Sequence, residues 1–114
     1  MTDQKPGAPT ALTVTTTTDS REKAEALARG AVEARLAACA QVTRPVTSVY
    51  HWKSAVETAE EWQVLYKTTE GRYAALEAHL LAAHDYETPE ILAVPVRHGS
   101  AAYLEWLETE VGTA

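Results

Sequence analysis

Two consecutive stretches of strand-forming residues constrain the fold of this chain more than any other feature. CAQVTRPVTSVYHW (39–52) and VETAEEWQVLYKTT (56–69) are each 14 residues long, and only a short loop separates them. Such a pair predicts an antiparallel hairpin. Fourteen extended residues span about 45 Å at roughly 3.3 Å per residue. The hairpin must therefore project beyond the sheet that carries it.

The apolar pattern of the two strands constrains the turn between them. Tyr50 and Trp52 are at even positions of the first stretch, and four apolar residues of the second stretch are at even positions too: Val56, Trp62, Val64 and Tyr66. A two-residue turn would pair even positions with odd ones and put the two apolar sets on opposite faces. We expect a three-residue loop (53–55), which keeps both apolar sets on one face of the hairpin. The alternative is a bulge near Pro45, because proline has no N–H to donate to the hydrogen-bond ladder of a central strand.

The remaining elements indicate an α+β, ferredoxin-like fold. The β-branched run 11–18 predicts a first strand, and Asp19 as N-cap predicts a helix over about 20–38. A second helix (71–84), a last strand (90–97) and a C-terminal helix (100–111) follow. The order βαββαβ plus one helix is typical of an antiparallel sheet with helices on one face and, here, a long protruding hairpin.

Length and composition limit the classes of protein and of binding partner that the sequence fits. We expect a disordered N-terminal tail (1–10) and one domain (11–114). The net charge of −6 disfavours nucleic acid and anionic lipid as partners. A single cysteine allows no internal disulfide, and no run of about 20 apolar residues is present. These features, with no recognisable signal peptide, predict a cytoplasmic protein without a membrane partner.

Exposed aromatic residues predict self-association. The projecting part of the hairpin carries Tyr50 and Trp52, and the expected helices cover only one face of the sheet. Large aromatic side chains in such a position need cover from another chain. The alternative is a bent hairpin that folds back on its own core, and periodicity alone does not give the number of subunits.

Candidate metal ligands are found at two places in the chain. The thiolate of Cys39 would suit Cu(I), although an apolar setting such as AACA is also typical of a small core residue. In the segment HDYETPEILAVPV (84–96), imidazole and carboxylate groups suit Cu(II) and Zn(II). The alternative is that His84 and Asp85 close the second helix while Glu87 and Glu90 bond at the strand entry.

Signals of catalysis and of anion binding are weaker. The sequence contains no GxGxxG, P-loop, GxSxG, HExxH or CxxC motif, which favours a protein that is not an enzyme. Lys67 and Glu61 share the odd-numbered face of their strand. Lys67 would be the point charge for a bound anion, or else one half of a salt bridge between subunits.

Five stretches together resemble the CutA family of divalent-cation tolerance proteins: RLAACAQV (35–42), TSVYHW (47–52), KTT (67–69), YETPEIL (86–92) and YLEWL (103–107). The resemblance covers about residues 11–110. It implies a homotrimer of ferredoxin-like subunits, a link to copper and other divalent cations, and a structural likeness to PII-type signalling proteins. No catalytic activity is generally accepted for the family, so the resemblance implies none for this chain.

The sequence departs from the family pattern at two positions. Asp85 stands where the family usually has proline, which adds a carboxylate beside His84 and loosens the backbone. Ser54 stands in the hairpin loop where the family usually has glycine, and serine disfavours a positive φ.

Two hypotheses of function follow from the residues and the resemblance. The first is a trimer that binds copper or another divalent cation through Cys39, His84 and Glu90, with no metal required for folding. The second is a PII-like, non-catalytic signalling or scaffold trimer that binds a small anion between subunits. For that ligand we expect a cleft lined by Lys67, Tyr86, Glu87 and Glu90.

Overall fold

A five-stranded antiparallel sheet organises residues 10–112, the part of the chain that the computed structural model describes. The sheet order is β2-β4-β1-β5, and β3 pairs with the outer part of β4. The predicted α+β order is confirmed, and the predicted tail lies almost wholly outside the described residues. In chain order the elements are β1 (Ala11–Thr18), α1 (Arg21–Glu33), β2 (Cys39–Val42), β3 (Val46–Trp52), β4 (Ala55–Thr69), α2 (Glu70–Ala83), β5 (Leu92–Pro95) and α3 (Ala101–Glu110).

The long hairpin is present, with a bulge in its first strand. Val42 of β2 pairs with Val64, whereas Val46 of β3 pairs with Glu61. The first side of the hairpin therefore has one residue more than the second between these pairs, which defines a bulge. Pro45 lies in that bulge, where its missing N–H costs no ladder hydrogen bond. The expected irregularity near Pro45 is confirmed.

The hairpin closes with the two-residue turn Lys53-Ser54, so the expected three-residue loop is wrong. Trp52 pairs directly with Ala55, and the two turn residues have φ angles of 49° and 69°. Positive φ at both positions is the geometry of a type I′ turn, whose twist matches that of paired strands. Beyond the bulge, even positions of β3 therefore lie opposite odd positions of β4, as with Tyr50 and Glu57.

The two helices α1 and α2 cover one face of the sheet. The core between these layers contains Leu12, Val14, Ala24, Leu27, Ala31, Val64, Tyr66, Leu76 and Leu80. The third helix, α3, contacts β1 and β4 and buries Leu107 and Val111 against Ala11 and Ala38. No helix within residues 10–112 has the length and apolar character needed to cross a membrane.

The first helix differs from its prediction at both ends. Its N-cap is Ser20, whose hydroxyl accepts a hydrogen bond from the Lys23 amide, and not Asp19. The helix ends at Glu33, five residues before the predicted end at residue 38. Arg35 has a φ of 57°, and the Leu36 amide bonds back to the Ala31 carbonyl. A left-handed residue at this place ends the helix, as in common C-terminal motifs.

Candidate functional site

The loop between α2 and β5 (84–91, here the α2–β5 loop) begins with a buried histidine. The side chain of His84 is fully buried. Its Nδ1 accepts a hydrogen bond of 3.1 Å from the Tyr86 amide, and its Nε2 lies 2.7 Å from the Thr17 carbonyl oxygen. Because Nδ1 is the acceptor, the neutral ring carries its proton on Nε2 and donates it to Thr17. Neither ring nitrogen is free to bind a metal ion in this arrangement.

The next residue pair joins the loop to the hairpin. The hydroxyl of Tyr86 donates a hydrogen bond of 2.7 Å to Oε2 of Glu61, and Glu61 is only 7% exposed. Burial, followed by the bond to Glu61, raises the pKa of Tyr86 well above its usual range. The phenol therefore stays protonated and holds the carboxylate in place.

Two lysines hold the loop from either side. Lys23 on α1 donates to Asp85 at 2.6 Å and to Asp19 at 2.9 Å. These bonds raise the pKa of Lys23 to about 12, and the bond to Lys23 lowers the pKa of Asp85. Lys53, at the hairpin turn, lies 3.8 Å from the carboxylate of Glu87. The loop is thus connected to the helical layer and to the hairpin at once.

The single cysteine lies in a different part of the molecule. Cys39 begins β2, opposite Lys67, and is half-buried. Its Sγ is 3.8 Å from the hydroxyl of Tyr103 on α3, a contact that raises the pKa of that tyrosine. The ring of Tyr103 in turn lies 5.4 Å from that of Trp106.

The predicted metal ligands do not converge within one chain. Cys39 pairs with Lys67 of β4, and Lys67 in turn pairs with Thr13 of β1. His84 instead bonds Thr17, which lies four residues further along β1. Thr13 and Thr17 are therefore about 13 Å apart along the strand. Glu90 is exposed in the loop. Residues 10–112 contain no group of three or more His, Cys, Asp or Glu side chains close enough to hold a metal ion.

The predicted anion ligands are also dispersed within the chain. The ammonium of Lys67 donates to the side chain of Gln41 at 2.8 Å. Tyr86 bonds instead to Glu61, six positions along β4 from Lys67 and so about 20 Å away. Glu87 faces Lys53 at the turn. A cleft that contains Lys67 and Tyr86 together would need residues from more than one chain.

Sequence reasoning missed two features of this region. Glu61 was expected only to share a face with Lys67, and it is instead the buried acceptor of the Tyr86 hydroxyl. No local sequence pattern marks Glu61 as this acceptor, because its place beside the bulge depends on the strand register. Lys23 was not singled out, and a lysine in the first turn of a helix gives no sign of a partner 62 positions away.

Comparison with known proteins gives this arrangement a family context. The family model described as CutA1 divalent ion tolerance protein matches residues 12–110. The chain belongs to this CutA1 family. It is 38% identical over 96 residues to the divalent-cation tolerance protein CutA of Thermus thermophilus, covering 84% of this chain and 93% of that protein. It is 36% identical over 97 residues to the chloroplastic CutA 1 of rice, covering 85% of this chain but 55% of that longer protein.

Solved CutA structures share the fold. That of T. thermophilus matches with a TM-score of 0.87 at 37% identity and covers 90% of this chain and 99% of its own. The CutA of Synechococcus elongatus, described as complexed with a Bis-Tris molecule, matches with a TM-score of 0.84 at 36% identity. It covers 91% of this chain and 96% of its own. The fold inferred from the CutA resemblance is confirmed by these neighbours.

Proposed function

We propose that the protein is a cytoplasmic homotrimer that binds or responds to metal ions, chiefly copper, and catalyses no reaction. The observation that carries this proposal is the family match over residues 12–110, since the family is described by its divalent ion tolerance. One relative is named as chloroplastic, so the comparisons do not support a cytoplasmic location. We infer that location from the sequence alone. The single cysteine suits a reducing compartment.

Apolar side chains at the hairpin and the sheet edge support the trimer. Val49 and Val56 of the hairpin are 66% and 64% exposed, and Leu92 and Val94 of the edge strand β5 are 61% and 60% exposed. Exposed apolar patches and an unpaired strand edge are the features that association with another chain covers. A second copy of the chain is the partner that the family resemblance implies.

The thiol of Cys39 is the copper ligand that we propose. It is half-buried rather than enclosed in the core, so a metal ion can reach it. Thiolate is the preferred ligand of Cu(I). One thiol per chain gives three in a trimer, so the remaining ligands would come from other subunits. Glu90, which is exposed, remains a proposed ligand, whereas His84 is omitted because both of its ring nitrogens are already bonded.

Anaerobic competition with a chromophoric Cu(I) chelator tests this assignment. We expect Cys39→Ser to lower the Cu(I) affinity at least about tenfold, because serine oxygen is a poor ligand for a soft ion. Glu90→Gln should weaken Cu(II) binding, with Glu105→Gln as an exposed carboxylate control. Unchanged affinity in both Cys39→Ser and Glu90→Gln would contradict the assignment.

A second candidate function is a PII-like scaffold that binds a small anion between subunits. The Bis-Tris complex of the S. elongatus relative favours a small-molecule ligand, whereas the negative charge of the ligand is inferred from Lys67 and not from that complex, since Bis-Tris is an amine. Lys67 is half-buried and would supply the positive charge. A ligand that binds the folded state raises the melting temperature. A thermal-shift screen of nucleotides and carboxylates should give one saturable rise that Lys67→Met abolishes, whereas flat responses would contradict this function.

A further inference from the structure

The fully buried imidazole of His84 makes two hydrogen bonds that only a neutral ring allows. Its Nε2 donates to the Thr17 carbonyl, and its Nδ1 accepts from the Tyr86 amide at 3.1 Å. A protonated ring carries a hydrogen on both nitrogens, so Nδ1 would then face the N–H of Tyr86 as one donor against another. Protonation of the ring and this closed arrangement of the α2–β5 loop therefore exclude each other.

A carboxylate already lies beside the nitrogen that would gain the proton. Oδ1 of Asp85 is 3.8 Å from Nδ1 of His84, while Oδ2 of the same carboxylate accepts from Lys23 at 2.6 Å. The bond to Lys23 lowers the pKa of Asp85, so this group stays ionised at pH values where histidine takes up a proton. A protonated imidazole thus has a charged acceptor within about one ångström of bonding distance.

We propose that His84 is a pH-sensitive switch that loosens the α2–β5 loop from the hairpin. On uptake of a proton from water, Nδ1 exchanges the Tyr86 amide for the Asp85 carboxylate, while Nε2 keeps its bond to Thr17. The only covalent bond that forms is the new N–H. The Tyr86 backbone loses its anchor, and its hydroxyl then holds Glu61 less firmly. This inference depends neither on metal binding nor on the number of subunits.

A cavity beside the ring gives the switch room and access to water. Its volume is about 300 Å³, and residues of α1 and α2 line it together with His84 and Asp85. The Asp85 side chain is 52% exposed, so its carboxylate can turn toward the ring without displacing the core. The titratable and charged groups that surround the ring, directly or through one neighbour, are Asp85 and Tyr86 of its own loop, His79 of α2, Lys23 of α1, Asp19 just before α1, and Glu61 of β4.

An NMR titration of the whole isotope-labelled protein from about pH 8 to about pH 5 tests the proposal, since histidine changes charge in this range. We expect the ring nitrogens of His84 and the amide of Tyr86 to shift with one common midpoint. Protection of the Tyr86 amide against hydrogen exchange should fall at least about tenfold, which corresponds to the loss of roughly one hydrogen bond. The carboxyl carbon of Glu61 should shift with the same midpoint, because its donor loosens.

Three substitutions separate the switch from other titrating groups. His84→Asn retains an acceptor at the position of Nδ1, as in an Asx turn, but takes up no proton, so the Tyr86 amide should stay protected throughout. Asp85→Asn removes the charge that attracts the protonated ring, so the transition should need at least about a threefold higher proton concentration. His79→Gln is the matched control, because it removes the other imidazole of the cavity, and it should leave the midpoint unchanged.

The results that would overturn the proposal are distinct from one another. A transition of Tyr86 that persists in His84→Asn would show that another group drives it. Titration of the His84 nitrogens with the Tyr86 amide still protected, or no titration of His84 before the protein unfolds in acid, would also contradict the switch. Where His84→Asn does not fold, Asp85→Asn decides, because an unchanged midpoint in that variant would contradict the exchange of partners.

Discussion

The hydroxyl of Tyr86 donates a 2.7 Å hydrogen bond to the carboxylate of Glu61, which lies 25 positions earlier in the chain. This bond joins the α2–β5 loop to the base of the projecting hairpin. The same loop is fixed on its other side, where His84 bonds the Thr17 carbonyl and Asp85 bonds Lys23. The position of the loop is therefore set by contacts with β1, α1 and β4, and not by its own backbone alone.

Removal of the Tyr86 hydroxyl should destabilise the protein. Tyr86→Phe leaves the buried Glu61 without its donor, so we expect the free energy of unfolding to fall by about 1–3 kcal/mol. Tyr103→Phe is the control, since the hydrogen-bond partner of its hydroxyl among residues 10–112 is the Cys39 sulfur at 3.8 Å, and should cost less than about 0.5 kcal/mol. Urea unfolding at one fixed protein concentration measures both, and equal losses would contradict the role of the bond.

The tautomer of His84 is a second prediction. The accepting Nδ1 and the donating Nε2 should give the nitrogen-15 chemical shifts of a neutral ring protonated at Nε2. Long-range proton–nitrogen NMR spectra measure these shifts directly. Addition of Zn(II) should leave the His84 signals in place, because metal binding would need one of the two bonds to break. A shift of His84 nitrogens on metal addition would restore this residue to the ligand set.

The pair of Lys23 and Asp85 should make stability depend on pH at both extremes. The lowered pKa of Asp85 means that its contribution is present above its ordinary value of 3.8 and is lost as pH falls through the lower folded value. The raised pKa of Lys23 means that its contribution is present below 10.5 and is lost as pH rises through about 12. Both contributions are therefore present between pH 3.8 and 10.5.

Thermal unfolding of Lys23→Met at pH values inside this window and beyond both of its ends provides the measurement. We expect the melting temperature to differ most from that of the unaltered protein inside the window and to converge with it outside. Arg21→Met is a suitable control, since it removes an exposed cation from the same turn of α1. A difference that is the same at every pH would show that Lys23 acts through packing instead.

The hairpin turn offers a stabilising substitution. Ser54 has a φ of 69°, a conformation that glycine adopts without the steric cost of a Cβ. Ser54→Gly should therefore raise the free energy of unfolding by about 0.5–1 kcal/mol. Arg35→Gly, at a φ of 57°, should give no such gain, because Arg35 donates to the Glu110 carbonyl at 3.0 Å and would lose that bond. Chemical unfolding compares the two variants, and a loss in Ser54→Gly would contradict the type I′ turn.

The fold was predictable because its patterns are local. The β-branched run of β1, the two long strands and the helical periods between them gave the correct element order and the bulge at Pro45. The two-residue turn at Lys53-Ser54 was not predictable, because neither residue favours a positive φ. In addition, the bulge changes which positions of the two strands lie opposite each other, so the apolar pattern does not require a three-residue loop. The early end of α1 depends on Arg35, whose left-handed conformation is held by contacts with the end of α3.

The candidate site was predictable only in part. The segment 84–91 was identified from its concentration of polar residues, and it does form a bonded loop. Its partners Thr17, Lys23 and Glu61 come from three other elements, and no local pattern in the sequence marks such contacts. Cys39 and Lys67 were correctly expected on strands, but their separation from the loop depends on register, which single-sequence patterns do not fix.

Anaerobic native mass spectrometry of the metal-free protein, titrated with Cu(I), Cu(II) and Zn(II), tests the central claim most directly. It reports the number of subunits and the number of bound ions together. We expect a species of three 12.4 kDa chains that takes up a fixed number of copper ions. Three ions would place one site per subunit or cleft, and one ion would place the site on the symmetry axis. A monomer, or a trimer with only weak and scattered metal adducts, would contradict the claim.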